Sequence, residues 1–136
     1  MAKRKPKLIP ALTLQQPFAW AVMAGHATSE KRTGSTNYRG PLVIIAGGQQ
    51  PGTRQGQTIM FIERMRRDFP DCPDVDGLVY QSILGVVDVV DTWVTDEPGM
   101  RFVWELRKPR RLKKPKPLIG SGKVFEVEAK LVRGLV

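Results

Sequence analysis

Three polar residues, Thr28, Glu30 and Arg32, recur at every second position of this chain, and Tyr38 and Arg39 follow within a few residues. Alternate side chains of an extended segment point the same way, so the first three would share one face. A carboxylate there can accept from the exocyclic amine of a base. A guanidinium can pair with phosphate or with acceptor edges, and a phenol ring can stack on an unpaired base. Gln16, at the start of an expected helix, adds a neutral amide. Gln16, Thr28, Glu30, Arg32, Tyr38 and Arg39 are therefore the candidate ligand-binding set, with chemistry suited to a base or a nucleotide. The same Glu30 and Arg32 could equally close a structural salt bridge. Their spacing leaves both readings open.

A second kind of chemistry is carried by charge. The 136-residue chain has a formal net charge of +9, and the excess is local. Lys3, Arg4, Lys5 and Lys7 form one cluster, and Arg107, Lys108, Arg110, Arg111, Lys113, Lys114 and Lys116 form another; neither contains an acidic residue. Together they hold 11 of the 22 Lys and Arg residues, leaving 11 basic against 13 acidic elsewhere, so the remainder is slightly acidic. Concentrated positive charge suits phosphate binding with counterion release, which points to RNA or another single-stranded nucleic acid as partner. A solvated basic loop is the plainer alternative. The lone Cys72 can form no internal disulfide and has no cysteine partner for a metal cluster, so neither a metal site nor a cofactor is expected. No stretch approaches the roughly 18 apolar residues of a membrane span. The expectation is a soluble cytoplasmic protein, not exported, acting as a monomer or weak oligomer.

The elements that must position these residues can be read from the apolar pattern. Residues 1–9 look like a flexible basic arm, residues 10–130 like one domain, and residues 131–136 like a tail. Leu12-Thr13-Leu14 predicts a short strand. Pro17 suits the first turn of a helix carrying Phe18, Ala19, Val22 and Met23 at helical spacing, and Gly25 ends it. His26 beside that end would cap it. Ala27 to Arg32 alternates as a strand, and Leu42 to Ala46 is a β-branched run expected of a strand covered on both faces. Gln57 to Phe69 predicts a second helix, with Phe61, Met65 and Phe69 in the core. Ile83 to Val90 reads as a strand, with Gly85 as a bulge or close-approach point. Arg101 to Arg107 and Lys123 to Glu128 alternate as further strands, and Trp20, Trp93 and Trp104 are assigned to the core. Pro109, Pro115 and Pro117 should hold the basic segment between them as an extended loop.

Taken in order, Leu14-x-Gln16-Pro17-Phe18-Ala19, Gly25-x-x-Thr28-x-Glu30-x-Arg32 and Tyr38-Arg39-Gly40-Pro41-Leu42-x-Ile44-x-Ala46 resemble the ASCH domain, a member of the PUA-like superfamily. Ile83 to Val87, Phe102-x-Trp104-x-Leu106-x-x-Pro109 and the segment from Pro115 to Phe125 extend the resemblance over nearly the whole domain. It implies an α+β fold: a small PUA-like β-barrel with two or more helices packed against it and a cleft proposed to bind RNA or a nucleotide. Some relatives in this family are N4-acetylcytidine amidohydrolases whose motif carries a Lys directly before the Thr. Here Ala27 stands in that place and offers neither nucleophile nor base. Lys31 sits about 13 Å further along an extended strand and is no substitute. Thr28, Glu30 and Lys31 are the catalytic candidates if the cleft hydrolyses RNA or a modified nucleoside; His26 and Tyr38 are the other titratable neighbours. The leading expectation is binding without covalent change.

Overall fold

The computed structural model describes residues 5–48 and 56–136, so Lys3 and Arg4 of the basic arm lie outside the described residues. The elements run β1 (Leu8–Leu14), α1 (Phe18–Met23), β2 (Ser29–Arg32), β3 (Gly40–Ala46), α2 (Gly56–Asp68), β4 (Ser82–Val94), β5 (Phe102–Pro117) and β6 (Phe125–Glu128), closing with a 3-10 turn at Ala129–Val132. The six strands form one mixed sheet in the order β2-β5-β4-β3-β1-β6. Only β1 and β3 pair in parallel. The fold is thus α+β, as expected. The barrel is not: among the described residues β2 and β6 are edges paired on one side only, and the sheet stays open.

β3 explains why the sheet holds together. Its residues alternate between two apolar layers, and Leu42 to Ala46 are all buried. Leu42, Ile44 and Ala46 join Leu12, Leu14, Val87, Val89, Trp104 and Leu106 beneath Ala19, Val22 and Met23 of α1. Val43 and Ile45 face the other way, onto Ile9, Ala11, Ile83, Val86, Val127 and the fully buried Val132. Residues 131–136, expected as a tail, therefore begin inside the second layer. α1 ends as expected: Gly25 takes a φ of 81°, and the backbone N–H groups of Gly25 and His26 return to Val22 and Ala21. α2 is shallower than its pattern suggested, with Ile62 buried and Phe61, Met65 and Phe69 only partly so. Among the described residues no helix is long and apolar enough to cross a membrane.

The basic segment departs most from expectation. It is no loop; it is the second half of β5, paired to β4 with two interruptions. Lys108 and Pro109 stand opposite Val87 alone, between the pairs Val86↔Arg110 and Asp88↔Arg107, and Lys108 adopts a φ of 56°. Further on, Leu112 to Pro115 stand opposite Leu84 alone, between Gly85↔Arg111 and Ile83↔Lys116. Such insertions bend a strand and push residues out of its ladder. Gly85 makes this possible: a Cβ there would lie 2.1 Å from the Arg110 carbonyl oxygen and 2.7 Å from Met23 Cε.

Candidate nucleic-acid interface

Glu30 is brought to the site by its pairing with Trp104, and Arg32 by its pairing with Phe102. Directly paired residues share a face, so both project over the layer that α1 covers. Beyond Glu30 lies a cleft of about 370 Å³, walled by Thr13, Leu14, Gln15 and Gln16 at the end of β1, Phe18 of α1, and Thr58 and Phe61 of α2. That volume is in the range of small-molecule sites, roughly 300 to 1,000 Å³. The Phe18 and Phe61 rings meet at 5.6 Å between centroids, inclined at 59°, and Phe18 remains 44% exposed. A narrower hollow of about 180 Å³ adjoins it, sharing Thr13 and Gln15 and edged by Gly47, Gly48 and Gly120 to Gly122. The loop packs so closely that a Cβ on Gly120 would fall 1.9 Å from Thr13 Oγ1, and Ser121 N–H donates to that same oxygen.

Glu30 and Arg32 do not neutralise each other. No ion pair joins them among the described residues. Arg32 leans over the Trp104 ring, 5.7 Å from its centroid, and its Nη2 donates to the Gly122 carbonyl at 3.5 Å. Glu30 is half-buried at the cleft wall. Burial pushes its carboxyl above the ordinary 4.5, and the nearby Arg32 charge, the smaller effect, pulls the other way. Among the described residues the cleft therefore has one ionisable lining group, an acceptor that shares the wall with two apolar rings.

The other expected ligand residues, Gln16 apart, lie elsewhere. Gln16 borders the cleft but is 4% exposed and committed: its Nε2 donates to the Val79 carbonyl and its Oε1 accepts from Trp20 N–H. It fastens the start of α1 to the loop before β4. Thr28 is exposed, and its carbonyl accepts from Leu106 N–H and Arg107 Nη1. Tyr38 donates to the Pro41 carbonyl at 2.5 Å and packs on the core, while Arg39 donates to the Thr36 and Tyr38 carbonyls and pairs with Asp91. Both brace the turn into β3. Lys31 points to the opposite face of β2 and pairs with Glu97. Thr28, Glu30 and Lys31 thus do not converge. His26 corrects its capping assignment: the ring stacks on Phe69 at 4.0 Å and its Nε2 lies 3.1 Å from Asp71. Trp93, assigned to the core, is 44% exposed.

The cations of β5 are unequal. Arg110 pairs with Asp88 at 2.9 Å and donates to the Leu135 carbonyl; Arg111 donates to the Met23 carbonyl at the end of α1. Arg107 pairs with Glu105, and Lys116 donates to the Leu131 carbonyl. Lys108, Lys113 and Lys114 are exposed, and their side chains make no bond to the protein among the described residues. The strand insertions put these three clear of the ladder. Lys5 and Lys7 are exposed at the approach to β1. No group of His, Cys, Asp or Glu among the described residues could hold a metal.

Phe18, Phe61, Thr13, Gln15 and Thr58 were missed by sequence reasoning. Phe18 carried one signal: an aromatic in the first turn of the helix, at the edge of the apolar face it was assigned to with Ala19, Val22 and Met23.

The molecule is thus an α+β protein with an aromatic-walled cleft at one end of an open sheet. No family model matches the chain. It is 25% identical over 139 residues to Activating signal cointegrator 1 of Mus musculus and 24% identical over 139 residues to Activating signal cointegrator 1 of Homo sapiens. Each similarity covers 90% of this chain but 23% of the relative, so the chain spans less than a quarter of the length of these curated proteins.

Proposed function

We propose that this chain is an ASCH-like, PUA-related module that binds RNA or another single-stranded nucleic acid, taking an unpaired base into the cleft beside Glu30. The observation that carries this reading is a half-buried carboxylate, without an ion-pair partner among the described residues, in a base-sized cleft walled by Phe18 and Phe61. An unpaired base offers what such a wall lacks: amine donors for the carboxylate and a π-face for the rings. The adjoining glycine-edged hollow gives the sugar and backbone a route out of the cleft. Lys108, Lys113 and Lys114 supply phosphate contacts, with Lys5 and Lys7 as a second basic group.

Binding of a labelled single-stranded RNA, followed by fluorescence anisotropy across a salt series, tests the reading. Affinity falls steeply with salt. Phe18→Ala, at a largely exposed position, weakens binding about fivefold or more, since one base–aromatic stack is worth about 1–3 kcal/mol. Salt-independent binding, or a Phe18→Ala protein with unchanged affinity, would sink it.

A further inference from the structure

Resting on that reading, we infer that the cleft selects guanine among the bases, with Glu30 as the specificity-determining residue. Among the described residues Glu30 is the single charged side chain on the wall, and an ionised carboxylate only accepts hydrogen bonds. Gln16 cannot redress the balance, because both ends of its amide are engaged with Val79 and Trp20. Thr13 and Thr58 hydroxyls can turn to donate or accept, and the Gln15 amide carries both a donor and an acceptor, so these three discriminate little.

The Watson–Crick edges of the bases differ in what they offer such a wall. Guanine presents two adjacent donors, the ring N1–H and the N2 amine, which match the two oxygens of one carboxylate. Adenine and cytosine present one amine beside an acceptor nitrogen. Uracil presents a single N–H between two carbonyl oxygens, which a carboxylate repels. The order of affinity is therefore guanine, then adenine and cytosine, then uracil. The Phe18 and Phe61 rings are indifferent to base identity, because every base has a π-face. Discrimination falls to Glu30.

The test uses the full chain and labelled oligouridylates of about ten nucleotides, within the usual site size, carrying one central guanosine, inosine, adenosine or cytidine. The guanosine oligomer binds at least about fivefold tighter than plain oligouridylate, as a bidentate base contact predicts. Inosine keeps N1–H but lacks the N2 amine and falls between them. Glu30→Gln, whose amide replaces one acceptor by a donor, brings guanosine down to the uridine level; circular dichroism verifies that the variant is folded. Equal affinities for all oligomers overturn the selectivity but leave the nucleic-acid reading standing. Inosine matching guanosine, a cytidine or uridine preference, or a guanosine preference surviving in Glu30→Gln also overturns it. Binding to none of the oligomers removes both readings together.

Discussion

The cleft beside Glu30 and the basic half of β5 both attract attention for their charge, yet the structure treats them oppositely. Four of the seven cations between Arg107 and Lys116 are spent inside the molecule on carbonyls and carboxylates, whereas the one carboxylate of the cleft has no partner among the described residues. A charged group already satisfied by its own protein has little left for a ligand, because releasing it costs the bonds it makes. Availability therefore matters more than number: one unpaired Glu says more about binding than four bonded cations.

The largest expected effect attacks the footing of the basic strand. Gly85→Ala drives a methyl into the Arg110 carbonyl and into Met23, and a clash with backbone leaves nothing flexible to yield. It destabilises by about 3 kcal/mol or more, seen as a fall in the urea midpoint. A wild-type midpoint would mean that the β4–β5 pairing is looser than drawn. Next, Arg110→Ala strands the partly buried Asp88 and the Leu135 carbonyl, at a cost of about 1–3 kcal/mol. Lys113→Ala with Lys114→Ala inverts that result: stability stays within about 0.5 kcal/mol, while RNA affinity drops for every sequence and the salt slope lessens by about 2. If Arg110→Ala and the lysine pair behave alike, the distinction between spent and available cations fails.

A smaller effect concerns pH. A carboxyl raised on folding binds its proton more tightly in the native state, so between the ordinary 4.5 and the raised value stability falls as pH rises. Glu30→Gln removes that penalty. Its melting temperature exceeds that of the wild type near neutral pH, and the gain disappears below about pH 4, where Glu30 is protonated in both states. A gain that persists at low pH would assign the effect to packing instead. Smallest of all, Lys31→Ala breaks an exposed pair with Glu97 and changes stability by about 0–1 kcal/mol.

Much of the fold was legible because it rests on local rules. Leu42 to Ala46 announced a strand covered on both sides, Gly25 a helix end, and Gly85 a close approach. The basic strand was misread because its cations and prolines hide the alternation, and because bulges displace any period of two. The barrel failed for a non-local reason: closure depends on whether the outermost strands meet. At the site, Glu30 and Arg32 shared a face as their spacing predicted. Tyr38 and Arg39 stand apart from the cleft because turn residues bonded to their own backbone carry the same polar types as a binding loop. Phe61 and Thr58 reach the cleft only through the docking of α2 near α1, which no local spacing encodes.

The open sheet has a consequence for how copies of this protein behave in concentrated solution. Among the described residues β2 is an edge of four residues paired on one side only, and a bare edge invites a neighbouring molecule to add its own strand. Glu30, Lys31 and Arg32 put three consecutive charged residues along that border, and register-matched pairing of two such borders would desolvate them. The side chain that lines the cleft thus also helps keep the protein from polymerising through its rim.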